Sequence, residues 1–476
     1  MTFLKLEDIT VMEFDIKEKY YKVHRPDLLP FSLRNCLSDT TSITDKEKLL
    51  EAGFENKELL AAFFLNRSIS VKREHAKLLM NQLGIKQNND FDSRYKIMLL
   101  CKALSVSDCY WVTDKEEETW NNVNLWNNPL HETIQQISLY GKSLTITGKL
   151  RSPELTGQGA YAKAWFRENG KLFLFKGNSN GGNESEREVL ASNILDCFNV
   201  PHVKYTLEKK DNLTVCKCEN MNFDNTSLVD SIEYDIWTSK QGKNFIEEAR
   251  KADPEMYYKT IVVDYLISNS DRHGGNWGFY MNNQTGKLIR MHPLFDHNNA
   301  FDTEFMKNPD GGICQLIPGK TQKQAALYAI KHCDFRCIKP VTKDMFINEI
   351  MYESFMSRAC ELGLYKKEKV NLFQKYVTKK EKYVPVKIEN DNTFEYWNSI
   401  KQNSTRNISH IKNNEKNKIN IIIDKTSNKP LQADTLDTIA DKISDLINKE
   451  KNIKLPEKQK KNFNNKKNNH DAQDMI

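Results

Sequence analysis

The stretch that decides the fold runs from Pro254 to Phe301 and reads PEMYYKTIVVDYLISNSDRHGGNWGFYMNNQTGKLIRMHPLFDHNNAF. Asp253 can cap a helix, proline suits the first helical turn, and the apolar residues that follow recur at helical spacing. A polar break then leads to Asp271. Two short apolar runs on either side of an Asn-Asn-Gln-Thr-Gly turn predict a β-hairpin. The stretch therefore predicts a helix, a loop and a hairpin, followed by a second aspartate, Asp296.

Asp271, Asn276 and Asp296 form the residue set that phosphoryl transfer from ATP needs. One carboxylate accepts the proton of the attacking hydroxyl, while an amide oxygen and a second carboxylate hold Mg²⁺, which prefers oxygen ligands. The D-x-x-x-x-N spacing matches the catalytic loop of protein kinases, in which a metal-binding aspartate follows. We therefore predict that Asp271 is the catalytic base and that Asn276 and Asp296 are metal ligands. Taken singly, each is an ordinary turn or cap residue, so the prediction depends on their order.

The string SDRHGGN over residues 270–276, followed by Pro-Leu-Phe-Asp296, resembles the HipA-like kinase family, including its CtkA-type members. The resemblance implies a protein-kinase-like fold, ATP and Mg²⁺ as cofactors, and transfer of the γ-phosphoryl group to serine or threonine of a protein. Asp271-Arg272-His273 is also similar to the phosphoinositide lipid kinases, so a lipid or small-molecule acceptor is the alternative. We count His273 as catalytic, and it either donates to the transferring phosphoryl group or bonds a carboxylate.

Residues 141–220 predict a nucleotide-binding part. Strand patterns occur at 143–147, 162–166 and 172–176, and a turn joins the last two into a hairpin. The loop between the first two strands contains Gly157 and Gly159. Its backbone N–H groups are predicted to cover phosphates, although an ordinary surface loop fits the same residues.

The last of these strands ends in Lys176, where kinases place the lysine that holds the α- and β-phosphates. A helix is predicted from Glu184 to Phe198, and Glu188 on it is the predicted ion-pair partner of that lysine. Glu184 and Glu186 are the fallback candidates. A further hairpin ends near Glu219, where backbone groups of a hinge between two lobes are predicted to meet the adenine edge.

The predicted fold class is α+β: a two-lobed protein-kinase-like fold behind a mixed, mostly helical N-terminal accessory domain. The accessory domain spans residues 1–140, the small β-rich nucleotide lobe 141–220, and the larger, mainly helical catalytic lobe 221–376. Helices of the catalytic lobe are predicted at 245–252, 255–267, 320–330 and 346–373. A Lys/Asn-rich tail covers 377–476, with a strand-like patch at 419–423 and one amphipathic helix at 436–447, and is predicted to be partly disordered.

Composition limits the remaining possibilities. A chain of 476 residues can bury at least two cores, and its net charge of +6 is mild. Direct binding of nucleic acid is not predicted, because no recognition motif accompanies the charge. No apolar run reaches the length of a membrane span, and the ten cysteines form no C-x-x-C pair, so a reduced, cytoplasmic protein is predicted.

The predicted partners are a protein substrate and, by the family resemblance, an antitoxin-type protein. A catalytically silent binding module with the same fold is a third alternative, against which the intact set Lys176, Asp271, Asn276 and Asp296 argues.

Overall fold

A computed structural model describes residues 1–70, 72–85, 91–222, 225–370 and 380–385. All of them lie within one compact unit, Met1–Thr393. As the sequence predicted, the fold is mixed α+β, and its sheets are built from antiparallel strand pairs. Within the described ranges, no helix combines the length and the apolar character needed to cross a bilayer. The strand and the helix predicted at 419–423 and 436–447 lie outside these residues.

The N-terminal region combines a four-stranded sheet with helices. The strand order is β3-β2-β1-β4, so the last strand returns from a distant point of the chain to pair with the first. The elements are β1 Thr2–Leu6, β2 Ile9–Asp15, β3 Tyr20–Val23, α1 Lys46–Asn66, α2 Ala76–Gln82, α3 Phe91–Leu100, β4 Tyr110–Thr113, α4 Trp120–Val123 and α5 Glu132–Tyr140.

A second sheet, of order β5-β6-β8-β7, carries the predicted nucleotide-binding residues. Asn169 and Gly170 connect its first two strands with φ angles of 50° and 79°, the positive pair that a two-residue hairpin turn of type I′ requires. That turn fixes the register and sets Lys163 directly opposite Lys176. The elements are β5 Lys163–Glu168, β6 Lys171–Gly177, α6 Glu184–Leu195, β7 Tyr205–Lys210 and β8 Leu213–Glu219.

The strand predicted at residues 143–147 is not formed. These residues have no regular structure, and Leu144 remains 38% exposed. Strand β5 is the edge of its sheet, and helix α5 packs against it. The alternating pattern of the sequence therefore has no neighbouring strand with which to pair, and alternation alone does not make a strand.

The remaining part of the unit is mainly helical around a three-stranded sheet of order β11-β10-β9. Helix α9 is its central element: Asp253 caps it by accepting from Met256 N–H at 3.1 Å, and every residue from Met256 to Leu266 is buried. The elements are β9 Thr226–Asp230, α7 Ser231–Lys240, α8 Phe245–Ala252, α9 Pro254–Leu266, β10 Gly278–Asn282, β11 Leu288–Met291, α10 Thr303–Lys307, α11 Gln322–Ala329, α12 Glu349–Glu361, β12 Tyr365–Val370 and β13 Lys380–Pro385.

The helix predicted over residues 346–373 is longer than the helix that the structure has, α12. Helix α12 ends at Glu361, and Tyr365–Val370 forms a strand instead. Gly363 adopts a φ of +74°, and Leu364 N–H closes back onto the carbonyl of Ala359 at 2.9 Å. A glycine in this conformation is a usual helix stop, and it outweighed the apolar periodicity on either side.

One hydrophobic core joins the N-terminal region to the part that contains α9. Leu4, Phe14 and Phe64 belong to the same cluster of buried side chains as Leu190 and Tyr265. The aromatic ring of Phe31 meets that of Trp237 edge-on, with the ring centroids 5.3 Å apart. Burial of each large side chain stabilises the fold by about 1.5–3 kcal/mol, so this shared core contributes to the stability of both regions.

Candidate active site

Three charged side chains from separate elements meet beside the second sheet. Strand β6 ends near Lys176, whose Nζ lies 3.1 Å from Glu188 Oε2 on α6 and 2.7 Å from Asp296 Oδ1. Glu188 is fully buried and Lys176 is 9% exposed. The fallback glutamates lie elsewhere, with Glu184 bonded to Ser179 and Glu186 to Asn178. The structure therefore brings together the predicted lysine, helix glutamate and metal-binding aspartate.

Lys176 and Asp296 hold each other ionised, whereas burial raises the pKa of Glu188. Burial by itself would raise the pKa of Asp296, but Lys176 and Lys163 beside it lower that pKa to about 2. Burial likewise opposes the charge of Lys176, and the two carboxylates raise its pKa well above the ordinary value. Asp296 is consequently a carboxylate at any physiological pH, which is the form that binds a cation.

The loop that follows α9, which is the predicted catalytic loop, brings Asp271 and Asn276 together. Asn276 Nδ2 donates to the carbonyl of Asp271 at 2.8 Å, so the amide oxygen faces away from this bond. The Asp271 side chain is 39% exposed, and its Oδ2 accepts from Asn299 Nδ2 at 2.9 Å. A partly exposed, oriented carboxylate of this kind can receive a proton from an incoming hydroxyl.

Residues 295–299 connect the cluster of Lys176, Glu188 and Asp296 to the loop that contains Asp271. His297 N–H donates to Glu188 Oε1 at 2.7 Å, and Asn299 makes the bond to Asp271 described above. Asp296, between these anchors and the hairpin, has a φ of +59°. This strained backbone is stabilised by the bonds around it and turns the Asp296 carboxylate toward Lys176. The spacing of the sequence contained no signal for Asn299.

Arg272 was not assigned a role from the sequence, yet it organises the loop. Its guanidinium is 4% exposed and pairs with Asp264 of α9 at 2.9 Å. A second guanidinium nitrogen donates to the carbonyls of Asn276 and Phe295, at 2.7 and 3.1 Å. Arg272 thus ties the helix, the catalytic loop and the residue before Asp296 to one another. The available signal was an aspartate on the buried face of a helix, eight residues before an arginine.

His273 lies at the mouth of this loop with its side chain 55% exposed. Its Nδ1 accepts from Gly275 N–H at 3.0 Å, so in the neutral ring the proton is carried by Nε2. That Nε2 lies 4.0 Å from Asp271 Oδ1, which is too long for a hydrogen bond. Within the part of the chain that the structure describes, Nε2 therefore makes no hydrogen bond to Asp271, and both predicted roles of His273 stay predictions.

The loop that contains Gly157 and Gly159 presents backbone donors. Among the described residues, no acceptor bonds the N–H groups of residues 157–161. Gly159 has a φ of +98°, which L side chains rarely adopt, and a Cβ there would collide with Lys163 Nζ. Unbonded consecutive N–H groups beside an amine are an arrangement that binds phosphate.

Lys163 is a second lysine of the site that was missed in the sequence. Because it stands opposite Lys176 across the β5–β6 hairpin, both side chains extend from the same face of the sheet. Burial lowers the pKa of Lys163 to about 7, and the charge of Arg73 adds to the effect. The signal was present, because an Asn-Gly turn between residues 168 and 171 places residues 163 and 176 in register.

Glu219 is not brought into this cluster. It ends β8, and its side chain pairs with Lys171 at 2.9 Å on the exposed part of the sheet. Next to it, Asn220 N–H donates to the carbonyl of Leu172, and Met221 accepts from the Tyr280 hydroxyl at 2.6 Å. The predicted hinge therefore has ordered backbone, while the Glu219 side chain has a surface ion pair.

The residues present fit ATP and Mg²⁺. For phosphates, the described residues offer unbonded N–H groups at 157–161 and the amines of Lys163 and Lys176. For a divalent cation they offer the Asp296 carboxylate and the amide oxygen of Asn276, which are hard oxygen donors. This donor set suits magnesium rather than zinc, because it includes no thiolate or imidazole.

A strand lysine paired with a helix glutamate, a loop with aspartate and asparagine, and a second aspartate define a kinase-type site. Comparison with protein families agrees, since the family described as HipA-like kinase matches residues 165–312. The resemblance predicted from the motifs is thereby confirmed over that segment. The matched segment includes Lys176, Glu188, Asp271, Asn276 and Asp296, and it begins after Lys163 and the glycine loop.

The solved structures that are similar to the chain include CtkA and HipA. One is the Helicobacter pylori proinflammatory kinase CtkA, at 17% identity and a TM-score of 0.35, covering 43% of this chain and 90% of the other. The other is HipA of Shewanella oneidensis MR-1, in a toxin–antitoxin complex with HipB and operator DNA. It has 12% identity and a TM-score of 0.42, and the coverage is 76% and 96%. No curated protein matches the chain.

Proposed function

We propose that the chain is an ATP-dependent, Mg²⁺-requiring protein serine/threonine kinase. The observation that carries the proposal is the connected network from Lys176 through Glu188 and residues 295–299 to Asp271. It supports phosphoryl transfer because ion pairs and hydrogen bonds connect the lysine proposed to hold the nucleotide, the carboxylate proposed to hold Mg²⁺ and the partly exposed carboxylate proposed as the base.

Each residue then has a distinct role. Lys163, Lys176 and the N–H groups of the glycine loop hold the phosphates, with Glu188 keeping Lys176 in place. Asn276 and Asp296 hold Mg²⁺, which supplies charge neutralisation of the phosphates. Asp271 orients the acceptor hydroxyl and receives its proton, and His273 is placed to donate through Nε2 to the transferred group.

The acceptor is proposed from the family rather than from the site. HipA-like kinases imply a serine or threonine hydroxyl of a protein, and an antitoxin-type partner remains a prediction of the same resemblance. Asp271-Arg272-His273 keeps a lipid or small-molecule acceptor as the alternative. The test therefore has to present acceptors of both classes.

The test is transfer of labelled γ-phosphate from ATP with Mg²⁺, using a mixture of proteins in one arm and phosphoinositide vesicles in the other. Asp271→Asn and Asp296→Asn are run beside the wild type. Removal of the base or the metal ligand is expected to lower kcat by about 10²–10⁴-fold. Asp235→Asn, an exposed change on α7, is the matched control and is expected to leave kcat unchanged.

Labelling of protein by the wild type and by Asp235→Asn alone supports the proposal. If only lipid is labelled, the alternative, a lipid or small-molecule acceptor, replaces the protein acceptor in the proposal. If the wild type binds Mg-ATP but labels nothing in either arm, or does not bind it, the silent binding module is the better description and the proposal fails.

A further inference from the structure

The N-terminal region holds the glycine loop directly. Asn66 at the end of α1, and Ser68, Arg73 and Glu74 in the link to α2, form hydrogen bonds to the loop of residues 154–163. The bonds are those from Gln158 Nε2 to the carbonyls of Asn66 and Ser68 at 2.9 and 2.8 Å, and from Glu74 N–H to the carbonyl of Ala160 at 2.8 Å. Thr156 Oγ1 also donates to the carbonyl of Leu104 at 2.6 Å. The loop is therefore anchored from outside its own sheet.

Arg73 connects the two ends of this loop. Its Nη1 donates to the carbonyl of Glu154 at 2.9 Å, and its Nη2 donates to the carbonyl of Lys163. The side chain is 4% exposed, and within the described residues its Nε has no acceptor. An arginine has a rigid fork of donors, so one buried guanidinium can fix two carbonyl groups relative to each other.

The position of Arg73 bears on the phosphate-binding atoms. By bonding the carbonyl of Lys163, it holds the backbone of the residue that lies opposite Lys176 in the β5–β6 hairpin. A Cβ added at Gly157 would lie 3.2 Å from Arg73 Nη1, so the loop backbone packs closely against the guanidinium. Arg73 therefore contacts both the backbone of the loop and the backbone of the residue that carries the Lys163 amine.

We propose that Arg73 is a positioning residue through which the N-terminal region holds the phosphate-binding loop in place for ATP. The inference rests on the proposed function, since it concerns how the same site holds its nucleotide. Arg73 acts through the Glu154 and Lys163 carbonyls and does not need to touch a phosphate. The family match begins at residue 165, so Arg73 and the loop lie outside it.

The test compares Arg73→Gln with Arg34→Gln in the full chain. Arg34 is a matched control because it is also a buried arginine of the N-terminal region that bonds backbone carbonyls, those of Leu29 and Gly286. Dissociation constants are measured for ATP, ADP and adenosine. If Arg73 positions the phosphate loop, Arg73→Gln raises the dissociation constants of ATP and ADP at least tenfold and changes that of adenosine less than twofold. Arg34→Gln changes none of the three dissociation constants by more than twofold.

The inference is overturned if Arg73→Gln binds ATP with an affinity within twofold of the wild type. It is also overturned if that variant loses affinity for ATP and for adenosine by the same factor. A loss of ATP affinity in Arg34→Gln equal to that in Arg73→Gln overturns it as well.

If Arg73→Gln does not fold, Arg73→Lys replaces it, because a lysine keeps the charge and is expected to hold only one of the two carbonyls. Arg73→Lys is expected to show an intermediate loss confined to the phosphorylated nucleotides, and unchanged ATP affinity counts against the inference. A wild type that binds no ATP instead overturns the proposed function, which separates the two failures.

Discussion

The charge of Lys163 in the candidate site depends on pH near neutrality. Its pKa is lowered to about 7 because burial disfavours the ammonium form and Arg73 lies beside it. The protonated amine attracts phosphate and the neutral amine does not. Below pH 7 the attraction is fully present, and it is lost as the pH rises through the pKa of Lys163.

We therefore expect ATP affinity to fall as the pH rises from 6 to 8, by at most about tenfold per pH unit above 7. Lys163→Arg is expected to flatten this dependence, because a guanidinium stays charged throughout the range. The measurement is isothermal titration calorimetry of ATP binding to both proteins over this pH range. Protonation of ATP itself affects both proteins equally and so cancels in the comparison. Parallel pH profiles would mean that Lys163 does not hold phosphate.

Gly159 offers a second test at the scale of one residue, because a matched glycine exists. Gly159 and Gly148 have φ angles of +98° and +92°, but a Cβ meets Lys163 at the first and nothing within 4 Å at the second. Alanine at either position is expected to cost about 1–2 kcal/mol of unfolding free energy through backbone strain. Only Gly159→Ala should also weaken ATP binding. Denaturant unfolding and nucleotide titration measure the two effects, and equal ATP affinity in both variants contradicts the role of the loop.

At the scale of elements, the buried pair of Arg272 and Asp264 joins α9 to the catalytic loop. Arg272→Met leaves Asp264 as an uncompensated buried carboxylate and is expected to cost about 3–5 kcal/mol of unfolding free energy. The double variant Arg272→Met/Asp264→Asn should recover part of that stability. It should not recover kcat, because the carbonyls of Asn276 and Phe295 still lack their donor. Denaturant unfolding and kcat are measured on the same preparations.

The control for this pair is Arg67→Met, which breaks the buried ion pair with Asp108 in the N-terminal region. It should lower stability by a similar amount and leave kcat at saturating ATP unchanged in the folded protein, because the Arg67 side chain bonds Ala103, Asp108 and Tyr110 and not the glycine loop. Recovery of kcat in the double variant at α9 would show that stability alone, and not the held loop, sets the rate.

Elements with strong local signals were predictable from the sequence. The turn at Asn169-Gly170 predicted a hairpin, and Asp253 with its following proline predicted the start of α9, because each signal acts within a few residues. Lys176, Glu188, Asp271, Asn276 and Asp296 could be proposed from the sequence because each lies within or beside an element that has such a local signal. Contacts between distant parts were not readable: β1 pairs with β4 across about a hundred residues, and Arg73 and Asn299 meet partners that no spacing rule relates to them.

At the scale of the whole molecule, the N-terminal region and the kinase-type part share buried contacts. Ser32 Oγ donates to Glu233 at 3.0 Å, Arg34 bonds the carbonyl of Gly286, and Phe31 packs against Trp237. Loss of these contacts would expose apolar surface and leave buried polar groups without partners. The segment matched by the family model therefore depends on residues that lie outside it.

We predict that a chain beginning at residue 141 does not fold cooperatively, whereas a chain ending at Thr393, the boundary of the compact unit, keeps its fold and its ATP affinity. The reason is that the side chains of Leu4, Phe14 and Phe64 belong to the same core as those around α9, so their removal leaves that core open on one side. Far-UV circular dichroism and thermal unfolding of the two truncated chains are the measurements. A cooperative transition and ATP binding in the chain that begins at residue 141 would show that residues 1–140 form a separate accessory domain. It would also show that the hydrogen bonds from Arg73 to the Glu154 and Lys163 carbonyls are not needed for ATP binding. If the chain that begins at residue 141 shows no cooperative transition while the chain that ends at Thr393 does, the N-terminal region is required for the fold of the kinase-type part.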